Sequence, residues 1–219
     1  MRKSWTHPQR NDYNRPMTQS FLDKVYSVKG ADATRDLYDA WSQSYEAEVA
    51  QNGYATPGRA AEALANTMDD QTLPILDFGC GTGLSGLALR IAGFTQIDGV
   101  DLSADMLEQA KAKGIYRRLS QIEADGPLPD TSDHTAITAI GVIGAGAAPV
   151  SVLDTLFSAL RAGGYLCFSF NDHTLEDPVF EARVQALIDS EVANQISRDY
   201  GDHLPGLNMN SVVYVLKKT

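Results

Sequence analysis

The densest grouping of chemically telling residues is Asp77-Phe78-Gly79-Cys80-Gly81-Thr82-Gly83, between the run Pro74-Ile75-Leu76 and a helical pattern from Leu84. That places it at a strand-to-helix turn, on the carboxyl edge where open α/β sheets bind ligands. Alternating glycines permit positive φ and let a ligand approach the backbone without side-chain interference. The helix start beyond them offers free N–H groups and partial positive charge. The string Gly81-x-Gly83-x-x-Gly86 also matches a dinucleotide fingerprint, but two features oppose that reading. The turn already begins at Gly79, and Asp77 stands two residues earlier, where a carboxylate would repel a pyrophosphate. A ligand with a cationic end and no phosphate suits the pattern better.

The other candidate chemistry is sparse. Of the four histidines, His173 in Asn171-Asp172-His173 follows a strand at the carboxyl edge and is the best general-base candidate. His203, in the apparent turn Gly201-Asp202-His203-Leu204-Pro205, is a weaker second, and His134 precedes a strand at the opposite edge. Cys80 and Cys167 read as buried fillers with no CxxC partner, so no metal site is expected.

These residues need elements to hold them. The four-residue spacing of Met17, Phe21 and Val25 predicts a helix ending at Gly30. One continuous helix is expected from about Thr34 to Ala50, with Leu37, Trp41 and Tyr45 on one face, and another from Pro57 to Met68. From residue 74 strands and helices alternate. Strands are expected at 74–78, 96–101, 118–123, 135–140 and 165–170, and helices at 84–92, 103–113, 150–161 and 177–192. Two more strands, 195–200 and 211–216, can form an antiparallel edge pair. This grammar predicts a doubly wound, mostly parallel, seven-stranded α/β sheet, Rossmann-like, with an antiparallel C-terminal edge pair and an N-terminal helical cover.

S-adenosylmethionine (SAM), with an α-amino group, a sulfonium, a ribose and an adenine, satisfies the requirement set by Asp77. The run Asp77-x-Gly79-x-Gly81-x-Gly83 resembles motif I of class I SAM-dependent methyltransferases, and the similarity extends over about residues 38–217. Gly99-Val100-Asp101-Leu102-Ser103 resembles the second motif of that family, whose acid accepts both ribose hydroxyls; Ala124-Asp125-Gly126 resembles the third, whose acid receives the adenine amino group. Tyr38-Asp39-x-Trp41-x-x-x-Tyr45-Glu46, Gly53-Tyr54-x-x-Pro57 and Gly141-Val142-Ile143-Gly144 resemble the Williams–Beuren-region methyltransferase-like branch. The resemblance implies SAM as cofactor, S-adenosylhomocysteine as product, and cofactor contacts from Asp77, Gly79, Gly81, Thr82, Gly83, Asp101, Leu102, Asp125, Gly126 and Gly141. It also implies that Tyr45 touches the methionine portion from a covering helix. One departure stands before the fourth strand, where Asp133-His134 replaces an aromatic followed by Asp.

Composition bounds the rest. Twenty-eight acidic residues against 18 basic ones give a net charge of −10, which argues against gripping nucleic acid. No apolar run is long enough for a membrane span, and two cysteines suit a reducing, cytoplasmic compartment. Residues 1–15, with Arg2, Lys3, Arg10 and Arg15 against Asp12, read as a flexible basic arm. Residues 16–55 then form the cover and 56–219 the SAM-binding domain. The short cover favours a small-molecule acceptor. A SAM-binding module without catalysis, and a protein methyltransferase, are the alternatives; a nicotinamide-dependent oxidoreductase is opposed by Asp77.

Overall fold

The structure, a computed structural model, describes residues 30–124, 126–144 and 146–219. The expected arm, the helix from Met17 and the acid Asp125 lie outside the described residues. From residue 75 the chain alternates between strands and helices: β1 (Ile75–Phe78), β2 (Ile97–Asp101), β3 (Arg118–Gln121), β4 (Ala136–Ala139), β5 (Tyr165–Asn171), β6 (Ala193–Leu204) and β7 (Met209–Lys218). They form one sheet in the order β3-β2-β1-β4-β5-β7-β6. The first five pair in parallel, and β7 runs antiparallel between β5 and β6. The predicted mixed sheet is therefore present.

Alternating side chains send each buried strand into two cores. On one face Leu166, Phe168, Phe170, Val212 and Tyr214 meet α6 (Ser151–Ala159) and α8 (Pro178–Asp189). On the other, Ile75, Ile97, Cys167, Val213 and Val215 meet α3 (Thr56–Ala65) and α4 (Leu84–Ile91). Phe168 and Tyr214 stack at 5.0 Å across β5 and β7, adding aromatic contact to area burial.

Three expectations need correction. The single helix over 34–50 is two, α1 (Ala31–Trp41) and α2 (Tyr45–Gln51). Between them the Ser44 amide donates to the Trp41 carbonyl in a tight turn, which swings α2 back over the sheet edge. A short helix, α7 (Asp172–Leu175), follows β5 directly, because the Asn171 side chain accepts from the Thr174 amide and caps it. Residues 201–204 are not a turn: β6 runs on to Leu204 with a register shift between Asp202 and Leu204, and the turn comes after it at 205–207. Among the described residues no helix is long and apolar enough to cross a membrane.

Candidate functional site

A cavity of about 700 Å³ opens at the carboxyl edge of β1, β2 and β4. Gly79, Cys80, Gly81 and Thr82 form one wall, and Asp101 and Leu102 at the end of β2 form the next. Gly81 has φ +51°, and the space a Cβ would take there is open, so the backbone itself faces the cavity. The Gly81 amide donates to Asp101 Oδ2 at 2.8 Å and the Ser103 amide to Oδ1 at 2.9 Å. Each carboxylate oxygen keeps a further lone pair for a ligand. Ser103 also caps α5 (Ala104–Ala112) by accepting from the Met106 amide, as its position before that helix predicts. Burial pushes the Asp101 carboxyl above its ordinary range, against the pull of its backbone donors.

Asp77 is placed otherwise. It is fully buried beneath the loop and is not on the cavity wall. Ser85 and Tyr116 donate to its Oδ2 at 2.6 and 2.7 Å, and Thr138 donates to Oδ1 at 2.8 Å. Its carboxylate is held by this network, in which Tyr116 has a central place. That ring lies against Gly83, Gly86 and Gly99, and its hydroxyl also accepts from the Gly86 amide at 3.2 Å. Burial raises the Asp77 carboxyl despite the three donors. Gly83 (φ +94°) is likewise off the wall and serves as the residue before α4.

The cover closes the other side. Tyr38, Trp41 and Tyr45 form an aromatic row, with Trp41 edge-on to Tyr45 at 4.8 Å; Tyr38, Tyr45 and Tyr54 line the cavity. Burial and the neighbouring Tyr54 hydroxyl push the Tyr45 phenol well above its usual pKa. Polar contacts pin the cover to α5 and its flanks. Ser103 Oγ donates to Asp39, Gln109 donates to the Ser42 carbonyl, and Lys113 bridges Glu46 to the Thr82 carbonyl of the glycine loop.

A further stretch of wall comes from Ile122, Gly126, Leu128, Gly141 and Val142. Gly141 (φ +72°) stands where a Cβ would lie 2.5 Å from the Tyr54 hydroxyl, so the approach of that tyrosine requires glycine. The structure thus gathers Tyr45, Gly79, Gly81, Thr82, Asp101, Leu102, Gly126 and Gly141 around one cavity, and leaves Asp77 and Gly83 behind it. His173 is partly exposed on α7 and lines no part of this cavity. His134 sits at the far edge, 2.9 Å from Asp98, which Arg117 and Arg118 also bond. Burial alone would raise the Asp98 carboxyl, but those three donors hold it well below the ordinary range. Tyr54 and Val142 also line the cavity and sit in motifs quoted above without being singled out there; Ile122 and Leu128 carry no such signal in the sequence.

The cavity offers a ligand both hydrogen-bond acceptors and bare backbone. Asp101 presents acceptor lone pairs, Gly81 presents bare backbone, and the buried Thr82 Oγ1 has no hydrogen-bond partner among the described residues. Residues 50–205 match the family described as "Methyltransferase domain". The human Methyltransferase-like protein 27 is 36% identical over 137 residues, 61% of this chain and 56% of that protein. The mitochondrial ubiquinone biosynthesis O-methyltransferase of Candida albicans is 33% identical over 109 residues, 47% of this chain and 33% of that protein. The chain therefore spans about half, or less, of the length of these curated relatives. Among solved structures, a chain of the complex between the Haloferax volcanii Trm112 methyltransferase activator and a methyltransferase superposes with a TM-score of 0.64 at 16% identity. That match covers 84% of this chain and 97% of the other. The chain belongs to the methyltransferase domain family.

Proposed function

We propose that this protein transfers the methyl group of SAM to a small-molecule acceptor. The observation that carries the reading is the cavity that the glycine loop, Asp101 and the tyrosine-bearing cover enclose together. In this reading Asp101 takes the ribose hydroxyls on the lone pairs left by Gly81 and Ser103. Ile122, Gly126 and Leu128 receive the adenine, with Asp125 as acceptor for its amino group. The backbone at Gly79 and Gly81 and the Thr82 hydroxyl hold the methionine end, under Tyr45.

Bound SAM supplies an electrophilic methyl on a sulfonium. The protein's task is then to align an acceptor atom about 3 Å from that methyl and to keep water out. Tyr38, Tyr45 and Tyr54 serve this by roofing the site with aromatic surface. The same roof supports a small acceptor, because a macromolecule needs an open approach and the cover is tied down to α5 and the glycine loop. Cytoplasmic residence, and the division into a cover over 16–55 and a domain over 56–219, belong to the same proposal.

Calorimetry with S-adenosylhomocysteine tests the cofactor half, with binding expected in the micromolar range, about −8 kcal/mol. Absence of binding at millimolar ligand overturns it. An acceptor screen that follows S-adenosylhomocysteine production tests the other half: turnover only with protein or RNA substrates overturns the small-molecule reading.

A further inference from the structure

A second, smaller chamber of about 70 Å³ adjoins the main cavity and shares Tyr45, Tyr54 and Gly141 with it. Its remaining wall is mixed, with Trp41, Val49, Ile143 and Leu204 beside Ser169, Asn171 and Thr174, and among the described residues no Lys, Arg, Asp or Glu lines it. Two of its polar groups are already engaged as acceptors: Ser169 Oγ takes the Gly141 amide, and Asn171 Oδ1 takes both the Thr174 amide and hydroxyl. His203, buried and set edge-on to Tyr54 at 5.2 Å, also lines this chamber.

The state of that imidazole follows from a chain of hydrogen bonds behind it. Arg59 can only donate, and its Nη1 lies 3.1 Å from Ser211 Oγ. Ser211 is fully buried, and the acceptor the described residues offer its proton is Thr56 Oγ1 at 2.8 Å, so we assign that proton to Thr56. Thr56 in turn lies 2.7 Å from His203 Nδ1 and gives its proton there. Nδ1 is thereby an acceptor, and the neutral ring carries its proton on Nε2. Burial agrees, since it lowers the imidazole pKa to about 4 and keeps the ring uncharged near neutrality. A ring in this state donates a hydrogen bond and does not serve as a base.

We propose that the smaller chamber anchors the methyl acceptor, taking a neutral carbonyl or hydroxyl oxygen on the Nε2–H of His203. The proposal rests on the main cavity holding SAM beside it. A neutral oxygen is specified because an ion in this chamber would be buried without a countercharge, which costs far more than burying a hydrogen-bonded neutral group. The volume exceeds what one water needs, so it admits a small substituent of a larger molecule. The acceptor's reacting atom then lies toward Tyr45 and Tyr54, which stand on the boundary between the two spaces.

The test uses full-length protein labelled with ¹⁵N-histidine, free and saturated with S-adenosylhomocysteine, with His203 assigned from His203→Gln. Long-range ¹H–¹⁵N spectra at pH 7 should show Nε2 protonated and Nδ1 bare. Acetamide should move the Nε2 resonance and bind at least tenfold more tightly than acetate or methylammonium. Thr56→Val, or Ser211→Ala if the valine variant fails to fold, should admit the other tautomer and weaken acetamide at least threefold. A proton on Nδ1, preference for acetate, or no response to molar acetamide overturns the proposal; the last result would mean a chamber for water alone. S-adenosylhomocysteine binding is read in a parallel titration, so its failure removes the cofactor reading while the acetamide response still judges the chamber.

Discussion

Replacing Tyr116 by Phe isolates the support beneath the glycine loop. The change keeps the ring that packs on Gly83 and Gly99 and removes only the hydroxyl. Two bonds go with it, the 2.7 Å donation to Asp77 Oδ2 and the 3.2 Å acceptance from the Gly86 amide. A hydrogen bond to a charged group contributes about 1.5–3 kcal/mol and an amide bond about 1 kcal/mol, so the loss is about 3 kcal/mol. In a chain of this size that corresponds to a fall in Tm of roughly 6–12 °C. The loss should also depend on pH. Burial holds the Asp77 carboxyl above its unfolded value, so the folded state retains the proton in that window and stability declines as pH rises through it. The hydroxyl of Tyr116 limits this decline by favouring the charged carboxylate. The Phe variant should therefore show its largest deficit near pH 7 to 8 and a smaller one as pH approaches 4. Urea denaturation of both proteins across this range measures it. A deficit that is the same at every pH, or below about 0.5 kcal/mol, refutes the reasoning.

Asp101→Ala should reduce S-adenosylhomocysteine affinity at least tenfold, since each charge-assisted bond to a ribose hydroxyl contributes about 1.5–3 kcal/mol, while circular dichroism stays unchanged; unchanged affinity by calorimetry removes Asp101 from the site. Hydrogen exchange over residues 30–55 should slow on adding S-adenosylhomocysteine more than exchange in β5, and Tyr45→Ala should weaken that ligand more than it lowers Tm; exchange indifferent to ligand makes the aromatic row ordinary core. Gly141→Ala should cost about 1–3 kcal/mol by thermal denaturation, because the residue holds φ +72° and its Cβ would displace the Tyr54 hydroxyl; a cost within 0.5 kcal/mol of zero means Tyr54 can retreat freely.

Much of this architecture was legible before any coordinates, because its signals are local. Alternating strands and helices, the glycine turn after β1 and the position of Asp101 each depend on a few neighbouring residues. The features that local signals do not carry have a different origin. Leu37, Trp41 and Tyr45 keep one helical period across Ser42–Ser44, so nothing in the pattern marks the break between α1 and α2. The network that holds Asp77 includes Tyr116, 39 residues later, whose ring finds room only because Gly83, Gly86 and Gly99 lack side chains. Gly201, Asp202 and Pro205 resemble a turn, yet pairing with β7 carries β6 through to Leu204. The local sequence thus puts His203 in a turn, whereas the bond that defines it comes from Thr56, 147 residues away in sequence. His134, the departure from the family pattern before the fourth strand, is held by Asp98, 36 residues earlier.

The position of β7 has a consequence for how the protein is made. β5 presents Phe168 and Phe170 to a neighbour that is translated nearly forty residues later, and β6 meets the sheet only through β7. While the polypeptide is still leaving the ribosome, the parallel half can form, but its growing edge has an unpaired ladder beside aromatic surface. Such edges are templates for pairing with other chains. Substitutions in β7 should therefore reduce the yield of nascent protein that reaches the native state more than their effect on the finished fold suggests. Pulse-labelling against the Tm of the purified variant would separate these two effects.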